Sequence, residues 1–261
     1  MTRAELTRQK VIRPDWAAIA KIVAHRPWPM PDSPWMMTMS WQNLLFAHWP
    51  ISPAVLRPHI PACFDVDTFD GEGWISVVPF IMSDVGPRGL SRLPWVSKFA
   101  ELNVRTYVRH KDKAGVYFFS LDAANPVAVR VARMGFHLPY HDARFELSRF
   151  GARQSYQCKR SDGTASFVGE YEPLDGELLA LERDSLERWL FERYCFFTVD
   201  RAQRPYVGEV QHAPWSVRGA ASSIRINTMT APQGLALPDV EPLCHHAERL
   251  DVLGWPVRPV V

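Results

Sequence analysis

The chain has 261 residues, 22 of them proline, and its 30 basic and 28 acidic residues give a formal charge of +2. Proline at about 8%, against a usual ~5%, excludes a mainly helical bundle, because proline breaks helix interiors and central strands. A hydrophobic fraction of 47% is typical of a globular protein, and the small net charge gives no basic field for nucleic acid. We therefore expect a globular protein that does not bind nucleic acid.

The N-terminal segment is charged throughout and lacks the apolar core of a signal peptide. The longest uncharged stretch, residues 33–56, is interrupted by prolines and predicts no membrane span. The cysteines are far apart and lack CxxC spacing, which favours free thiols and a cytoplasmic protein. A loose helical pattern over residues 5–24 predicts an N-terminal helical arm, residues 1–26, ahead of a single domain over residues 27–261.

Strand patterns dominate after Trp35, with alternating or continuous apolar residues between turn signals. Asp70-Gly71 predicts a hairpin between strands 64–69 and 74–82, with a bulge at Pro79. The other expected strands are 35–46, 101–109, 116–123, 142–150, 153–160, 164–172, 206–213, 220–228 and 245–253.

Helices are predicted at three places after the arm. Ser52 followed by proline predicts a short helix over 53–58, and residues 126–136 suit a second. A capping box of Asp184 and Glu187 predicts the longest helix, 184–197, which would carry Arg193 on its surface or paired with a carboxylate. This inventory predicts an α+β fold of mainly antiparallel β structure: a curved sheet closed into a cone or barrel, with a few flanking helices.

The clearest alternation is in residues 101–109. Leu102, Val104, Thr106 and Val108 share one face, and the opposite face carries Glu101, Asn103, Arg105, Tyr107 and Arg109. A polar face of this kind normally meets solvent. If the sheet closes, however, it points inward and predicts a buried pair between Glu101 and Arg105, which is costly to desolvate and often functional.

Standard nucleotide, serine-hydrolase and zincin motifs do not occur. Tyr140 and His141 follow a proline and could perform acid–base chemistry, although a packed turn is the commoner interpretation. His212 and Trp215 could form the floor of a pocket or simply anchor the core. Because His245 and His246 are adjacent on a strand, at most one of them faces a given site, and we expect no metal site.

Several segments together resemble the YqjF-like family of bacterial proteins of unknown function. They are WISVVPFIMSDV, FAELNVRTYVR, GVYFFSLDAANPVAVRVAR, LPYHDAR, ERYCFFT and HAPWSV, in this order, within about residues 30–258. The resemblance implies an acetoacetate decarboxylase-like fold with a central pocket. In that enzyme a strand glutamate, similar to Glu101, and a lysine after a proline turn face the pocket, and the lysine forms a Schiff base.

This chain departs from that pattern at the lysine positions, because Tyr140 and His141 follow the Leu138-Pro139 turn. A Schiff base needs an amine, so the resemblance together with these residues predicts no acetoacetate decarboxylase activity. Neither a cofactor nor a metal is expected.

Three hypotheses remain at this stage. The first is a protein that binds a small organic, carboxylated molecule, with Arg105 as carboxylate clamp and Trp74, Phe80, Phe118 and Trp215 as walls. The second is a non-covalent lyase, isomerase or hydrolase, in which Glu101 is the acid or base, Tyr140 or His141 its partner and Arg105 the electrostatic stabiliser. The third is a non-catalytic interaction module with a filled barrel. Membrane partners are not expected, and a homo-oligomer is compatible with all three.

Overall fold

The computed structural model describes residues 14–89 and 97–260, and strands carry most of the fold within them. The helices are α1 (Trp16–Ile19), α2 (Pro53–Leu56), α3 (Pro126–Phe136) and α4 (Leu186–Phe191). The strands are β1 (Met37–Ile51), β2 (Asp65–Val66), β3 (Gly73–Pro87), β4 (Phe99–His110), β5 (Lys113–Ala123), β6 (Tyr140–Phe150), β7 (Arg153–Arg160), β8 (Ser166–Pro173), β9 (Cys195–Val199), β10 (Pro205–His212), β11 (Val217–Asn227), β12 (Leu243–Gly254) and β13 (Arg258–Pro259).

All these strands belong to one large curved sheet, in the order β13-β10-β9-β5-β6-β7-β8-β11-β12-β1-β3-β4-β2. Strand β4 also pairs with β5, and β10 with β12, so part of the sheet curves back on itself as a partial ring. The described pairings are antiparallel except β5 with β6 and β5 with β9. The mainly antiparallel curved sheet with few helices is therefore confirmed.

The predicted hairpin around Asp70-Gly71 is only partly correct. Both turn residues have positive φ, 51° and 84°, as a tight turn requires. The first strand, however, is reduced to β2, which pairs with β4 rather than with β3. Only an isolated bridge between Phe69 and Glu72 spans the turn.

The bulge expected from Pro79 lies opposite the proline rather than at it. Pro79 keeps regular register with Leu102 of β4. The register with β1 shifts between Gln42 and Ala47, where Asn43 has a φ of 50°. β1 therefore has one extra residue opposite Pro79, which has no N–H to donate to the neighbouring strand.

The predicted helix over 184–197 is wrong in its extent. It runs only from Leu186 to Phe191, and its cap is Ser185, whose hydroxyl accepts a bond from the Arg188 N–H. Residues 195–199 form β9 instead, because the apolar and aromatic residues there pair with β5 and β10. The helix predicted at 126–136 is confirmed, and the one predicted at 53–58 is α2, capped by Ser52 and followed by a 3-10 turn over Arg57–His59.

The N-terminal arm is helical only at α1 within the described residues, and residues 1–13 of the prediction lie outside them. Ile19 is buried and packs with Leu253 and Trp255. Arg26 lies 3.5 Å from Glu209 of β10, which links the end of this segment to the sheet.

Two apolar clusters lie on the two faces of β1, β3 and β4. One includes Leu45, Val77 and Val104 and extends to Tyr156 and Phe167 of β7 and β8. The other, which we call the aromatic face, is the side that carries Phe46, Phe80 and Tyr107, covered by α4 and by the loop with Trp215. The longest helix in the described part of the chain has 11 residues, so none there could cross a membrane.

Candidate functional site

The polar residues of β4 lie on the aromatic face and are buried. Glu101, Asn103, Arg105 and Tyr107 are 2%, 6%, 9% and 0% exposed. The solvent-facing interpretation is therefore wrong for these four residues. It holds for Arg109, at the end of the strand, whose side chain is 46% exposed.

Glu101 is held at both its side chain and its main chain. The Tyr140 hydroxyl donates to Glu101 Oε2 at 3.2 Å, and the Tyr156 hydroxyl donates to the Glu101 carbonyl at 2.7 Å. Burial raises the pKa of Glu101 to about 8; the Tyr140 bond opposes this rise, and the charge of Asp122 adds to it. A carboxyl group with this pKa can give or take a proton near neutral pH.

The expected pair between Glu101 and Arg105 does not form. The two residues are four positions apart on one strand, which separates their Cα atoms by about 13 Å at ~3.3 Å per residue. The described ion pairs include neither side chain. Arg105 instead lies over the rings of Phe46 and Tyr107, at 5.3 and 5.7 Å.

A buried ion pair forms near Glu101, between residues that sequence reasoning did not select. Arg160 Nε and Nη2 donate to the two carboxylate oxygens of Asp122 at 2.7 and 2.9 Å. Both side chains are at most 2% exposed. In the sequence, the one indication of this pair was Asp122, an aspartate in a strand that is mainly apolar on both faces.

His48 is a second group that sequence reasoning missed. Its Nδ1 lies 2.7 Å from Ser76 Oγ, which in turn lies 2.9 Å from the Tyr107 hydroxyl. The His245 ring is 5.5 Å from the His48 ring. His246 belongs to the other side of the strand and lies near Tyr171.

The four aromatic residues predicted as walls, Trp74, Phe80, Phe118 and Trp215, all contribute to the aromatic face. Trp41 joins them and stacks on Trp215, with ring centroids 6.0 Å apart and planes at 24°. The structure thus places these four residues in one cluster together with Trp41, which was not among the predicted residues.

The two remaining histidine candidates lie on two other strands, β10 and β6. His212 stacks on Tyr194 at 4.6 Å, and its Nδ1 lies 2.7 Å from the Ala213 carbonyl. His141 follows Tyr140 on β6, and strand alternation directs it to the opposite face. Within the described residues, no three His, Cys, Asp or Glu side chains are grouped to hold a metal ion.

Arg193 is buried rather than on a helix surface, and its Nη1 donates to Asp67 at 2.6 Å. It lies over Trp189, whose ring is 4.6 Å from that of Tyr107. Arg193 and Trp189 line a surface cleft of about 770 Å³ that does not include Glu101, Arg105 or Tyr140 in its lining. Through Trp189 and Tyr107 this cleft adjoins the aromatic face.

Buried polar atoms without a hydrogen-bond partner concentrate on the aromatic face. Seven of the thirteen such side-chain atoms in the described residues lie there. They are Trp41 Nε1, Trp74 Nε1, Trp215 Nε1, His48 Nε2, His245 Nδ1, Asn103 Oδ1 and Arg105 Nε. Because buried polar atoms are normally paired, such a concentration marks a place where a ligand could bind.

The fold is shared with solved enzymes at low sequence identity. The acetoacetate decarboxylase of Legionella pneumophila superimposes with a TM-score of 0.61 at 13% identity, over 94% of this chain and 95% of the other. The enduracididine biosynthesis enzyme MppR, complexed with pyruvate, gives a TM-score of 0.59 at 11% identity, over 87% and 91%. These likenesses establish an acetoacetate decarboxylase-like fold.

The sequence itself matches a protein family over most of its length. The uncharacterised protein YqjF of Bacillus subtilis (strain 168) is 42% identical over 230 residues, which are 88% of this chain and 94% of YqjF. The model of the DUF2071 family, described as an uncharacterised conserved protein, matches residues 38–251. The chain therefore belongs to the DUF2071 family.

Proposed function

We propose that the protein binds a small carboxylated organic molecule on the aromatic face, with Arg105 as the partner of the carboxylate. The observation that carries this proposal is the burial of Arg105 without a counter-charge. None of the hydrogen bonds or ion pairs of the described residues involves its side chain. A buried, unpaired guanidinium is costly, and a carboxylate can accept two parallel N–H bonds from it.

The surroundings of Arg105 support the same ligand class. The rings of Trp74, Phe118 and Trp215 offer apolar contact area, and the unpaired indole N–H groups offer donors to ligand oxygens. Apolar walls with a few polar groups are typical of small-molecule sites. The surface cleft beside Trp189 gives a candidate route to this face.

We propose that binding does not involve a Schiff base. Tyr140 occupies the turn position at which the resemblance expects a lysine, and a phenol cannot form an imine. Lys10 lies outside the described residues, and the other five lysines are exposed or half-exposed. Lys113, the least exposed of them, lies 2.9 Å from Glu209. Mass spectrometry after borohydride treatment with pyruvate should detect no lysine adduct, and an adduct would overturn this part.

A second candidate function is proton transfer by Glu101. It is supported by the pKa of about 8 and by the hydrogen bond from Tyr140. Tyr140 rather than His141 is the partner in this proposal, because His141 lies on the other side of β6. It predicts that Glu101→Gln abolishes any turnover and leaves the fold intact.

The test of the binding proposal is calorimetric titration with acetate, pyruvate, butyrate and benzoate. Pyruvate is included because MppR was solved with it. We expect wild type to bind at least one of these acids, and Arg105→Gln to weaken binding about 10–100-fold, since a charge-assisted bond contributes ~1.5–3 kcal/mol.

The control is Arg225→Gln, at an exposed position of β11 away from this face, which should leave affinity unchanged. Equal affinities of wild type and Arg105→Gln would contradict the proposal. Failure of wild type to bind any of the acids would favour the interaction module with a filled core.

A further inference from the structure

A chain of buried polar groups crosses the aromatic face directly beside Arg105. Ser76 of β3 is the cross-strand partner of both Arg105 on β4 and His48 on β1. His48, Ser76 and Tyr107 are each 0% exposed and are joined by the contacts of 2.7 and 2.9 Å given above. This places the His48 ring and the Arg105 guanidinium on the same face, two strands apart.

The direction of the hydrogen bonds in this chain follows from counting the donors and acceptors that each direction leaves without a partner. If the Tyr107 hydroxyl donates to Ser76 and Ser76 donates to His48 Nδ1, each hydroxyl proton has an acceptor. In the opposite direction two groups would lack a partner among the described residues, the Tyr107 proton and the bare Nε2 of His48, whereas the first direction leaves only the Nε2–H group without one. Nδ1 of His48 therefore accepts, and Nε2 carries the ring proton.

That Nε2–H group has no partner in the described residues. Burial lowers the pKa of His48 well below its usual range, and the neighbouring His245 and Arg105 lower it further. Burial also lowers the pKa of His245, although the charge of Glu187 opposes this decrease. The His48 ring is thus neutral at pH 7, and it presents one fixed donor on the same face as the guanidinium of Arg105.

We propose that His48 is a second recognition residue, which donates Nε2–H to an oxygen that the ligand carries in addition to its carboxylate. Ser76 and Tyr107 are positioning residues that fix the tautomer of His48. This inference rests on the proposed function and narrows its ligand class to small acids with a further hydroxyl, ether or carbonyl oxygen. An acid that has only hydrocarbon groups besides its carboxylate cannot accept this hydrogen bond.

The test uses two pairs of acids of matched shape: lactate with isobutyrate, and methoxyacetate with butyrate. Wild type should prefer the oxygen-bearing acid of each pair about 2–10-fold, since a neutral hydrogen bond contributes ~0.5–1.5 kcal/mol. His48→Phe should remove the preference and leave the affinity for butyrate and isobutyrate within about twofold. Ser76→Ala, a smaller change, should reduce the preference in the same direction.

The outcomes separate this inference from the proposed function. If wild type binds both members of each pair equally, or if His48→Phe weakens both equally, the role of His48 is wrong while carboxylate binding by Arg105 stands. If Arg105→Gln has no effect, the proposed function fails first.

The tautomer provides a readout that needs no ligand. Nitrogen-15 NMR of histidine-labelled protein should show His48 protonated at Nε2, and Tyr107→Phe should shift the population towards the Nδ1–H form, because Ser76 is then free to accept from His48. An Nδ1–H form in wild type, or no change in Tyr107→Phe, would overturn the inference.

Discussion

The hydroxyl of Tyr140 lies 3.2 Å from Oε2 of Glu101, so that two residues 39 positions apart form one hydrogen-bonded pair. Tyr140 begins β6, which pairs in parallel with the end of β5, and Glu101 lies across β5 on β4. Burial raises the pKa of both groups, that of Glu101 to about 8. Glu101 and Tyr140 are therefore both protonated over most of the neutral range, and the pKa of each depends on the contact between the two side chains.

Tyr140→Phe should raise the pKa of Glu101 above about 8. The phenol bond favours the ionised carboxylate, and its removal leaves desolvation less opposed. Carbon-13 NMR titration of the glutamate carboxyl groups measures this change. Tyr206→Phe is the control, because the Tyr206 hydroxyl donates no hydrogen bond among the described residues. It should leave the pKa of Glu101 unchanged. A fall in the pKa of Glu101 in Tyr140→Phe would contradict the assignment.

Glu101→Gln should stabilise the protein at high pH. The folded pKa of about 8 is above the unfolded value of 4.5, so wild-type stability is fully present below pH 4.5 and is lost as pH rises through 8. Gln does not titrate, and the variant should gain up to about 4–5 kcal/mol over wild type at pH 9, at ~1.36 kcal/mol per pKa unit. Urea unfolding at pH 5, 7 and 9 measures the difference, and exposed Glu177→Gln should show none. A difference that does not change with pH would refute this account.

Asp122→Asn should destabilise the protein by about 3–5 kcal/mol, because it leaves the guanidinium of Arg160 buried without a counter-charge. Replacing both residues, as Asp122→Leu with Arg160→Met, should recover most of that loss. The matched control is the exposed pair of Arg153 with Glu172, where Glu172→Gln should cost under about 1 kcal/mol. Urea denaturation of all variants measures the free energy of unfolding. Similar losses of stability at the two pairs would contradict the prediction.

Arg105→Met should raise the free energy of unfolding by about 1–4 kcal/mol, because an apolar side chain replaces a buried charge that has no counter-charge. The same variant should lose affinity for small carboxylates. Stability and affinity then change in opposite directions, as expected of a residue kept for binding rather than for folding. Thermal unfolding with and without pyruvate measures both, and a loss of stability in Arg105→Met would indicate a structural role.

Gly115→Ala should be destabilising by about 1–3 kcal/mol, the usual cost of overpacking. An added Cβ would lie 2.7 Å from Cys195 Sγ and 2.8 Å from its carbonyl oxygen, which is a backbone atom and cannot rotate away. The glycine therefore permits β9 to pack closely on β5. Gly86→Ala is the control, since nothing lies within 4 Å of its added Cβ. Equal urea midpoints for the two variants would show that β9 can shift at little cost.

Local patterns predicted much of the fold because they depend on neighbouring residues. The alternation in β4 and the cap of α2 by Ser52 both follow from spacing and residue type, and the structure contains both of them. The extent of α4 was mispredicted for the converse reason. Its apolar continuation suits a helix or a strand equally, and only pairing with β5 and β10 selects the strand.

The candidate site shows where sequence reasoning ends. It selected Glu101, Arg105 and Tyr140 individually, but paired Glu101 with Arg105 because the two lie near each other on one face of a strand. It did not select His48 or Ser76, since a single histidine or serine in an apolar strand carries no distinguishing pattern.

The sequence by itself determined the class of the fold, most of its strands and the polar face of β4, because these depend on local propensity and on the two-residue period of a strand. Only the tertiary structure decided that this face is buried, that Tyr140 meets Glu101, and that Arg105 lies on the same face as His48 without a counter-charge. Those relationships join strands that are distant along the chain, and they arise from the register and curvature of the whole sheet, which no local pattern specifies.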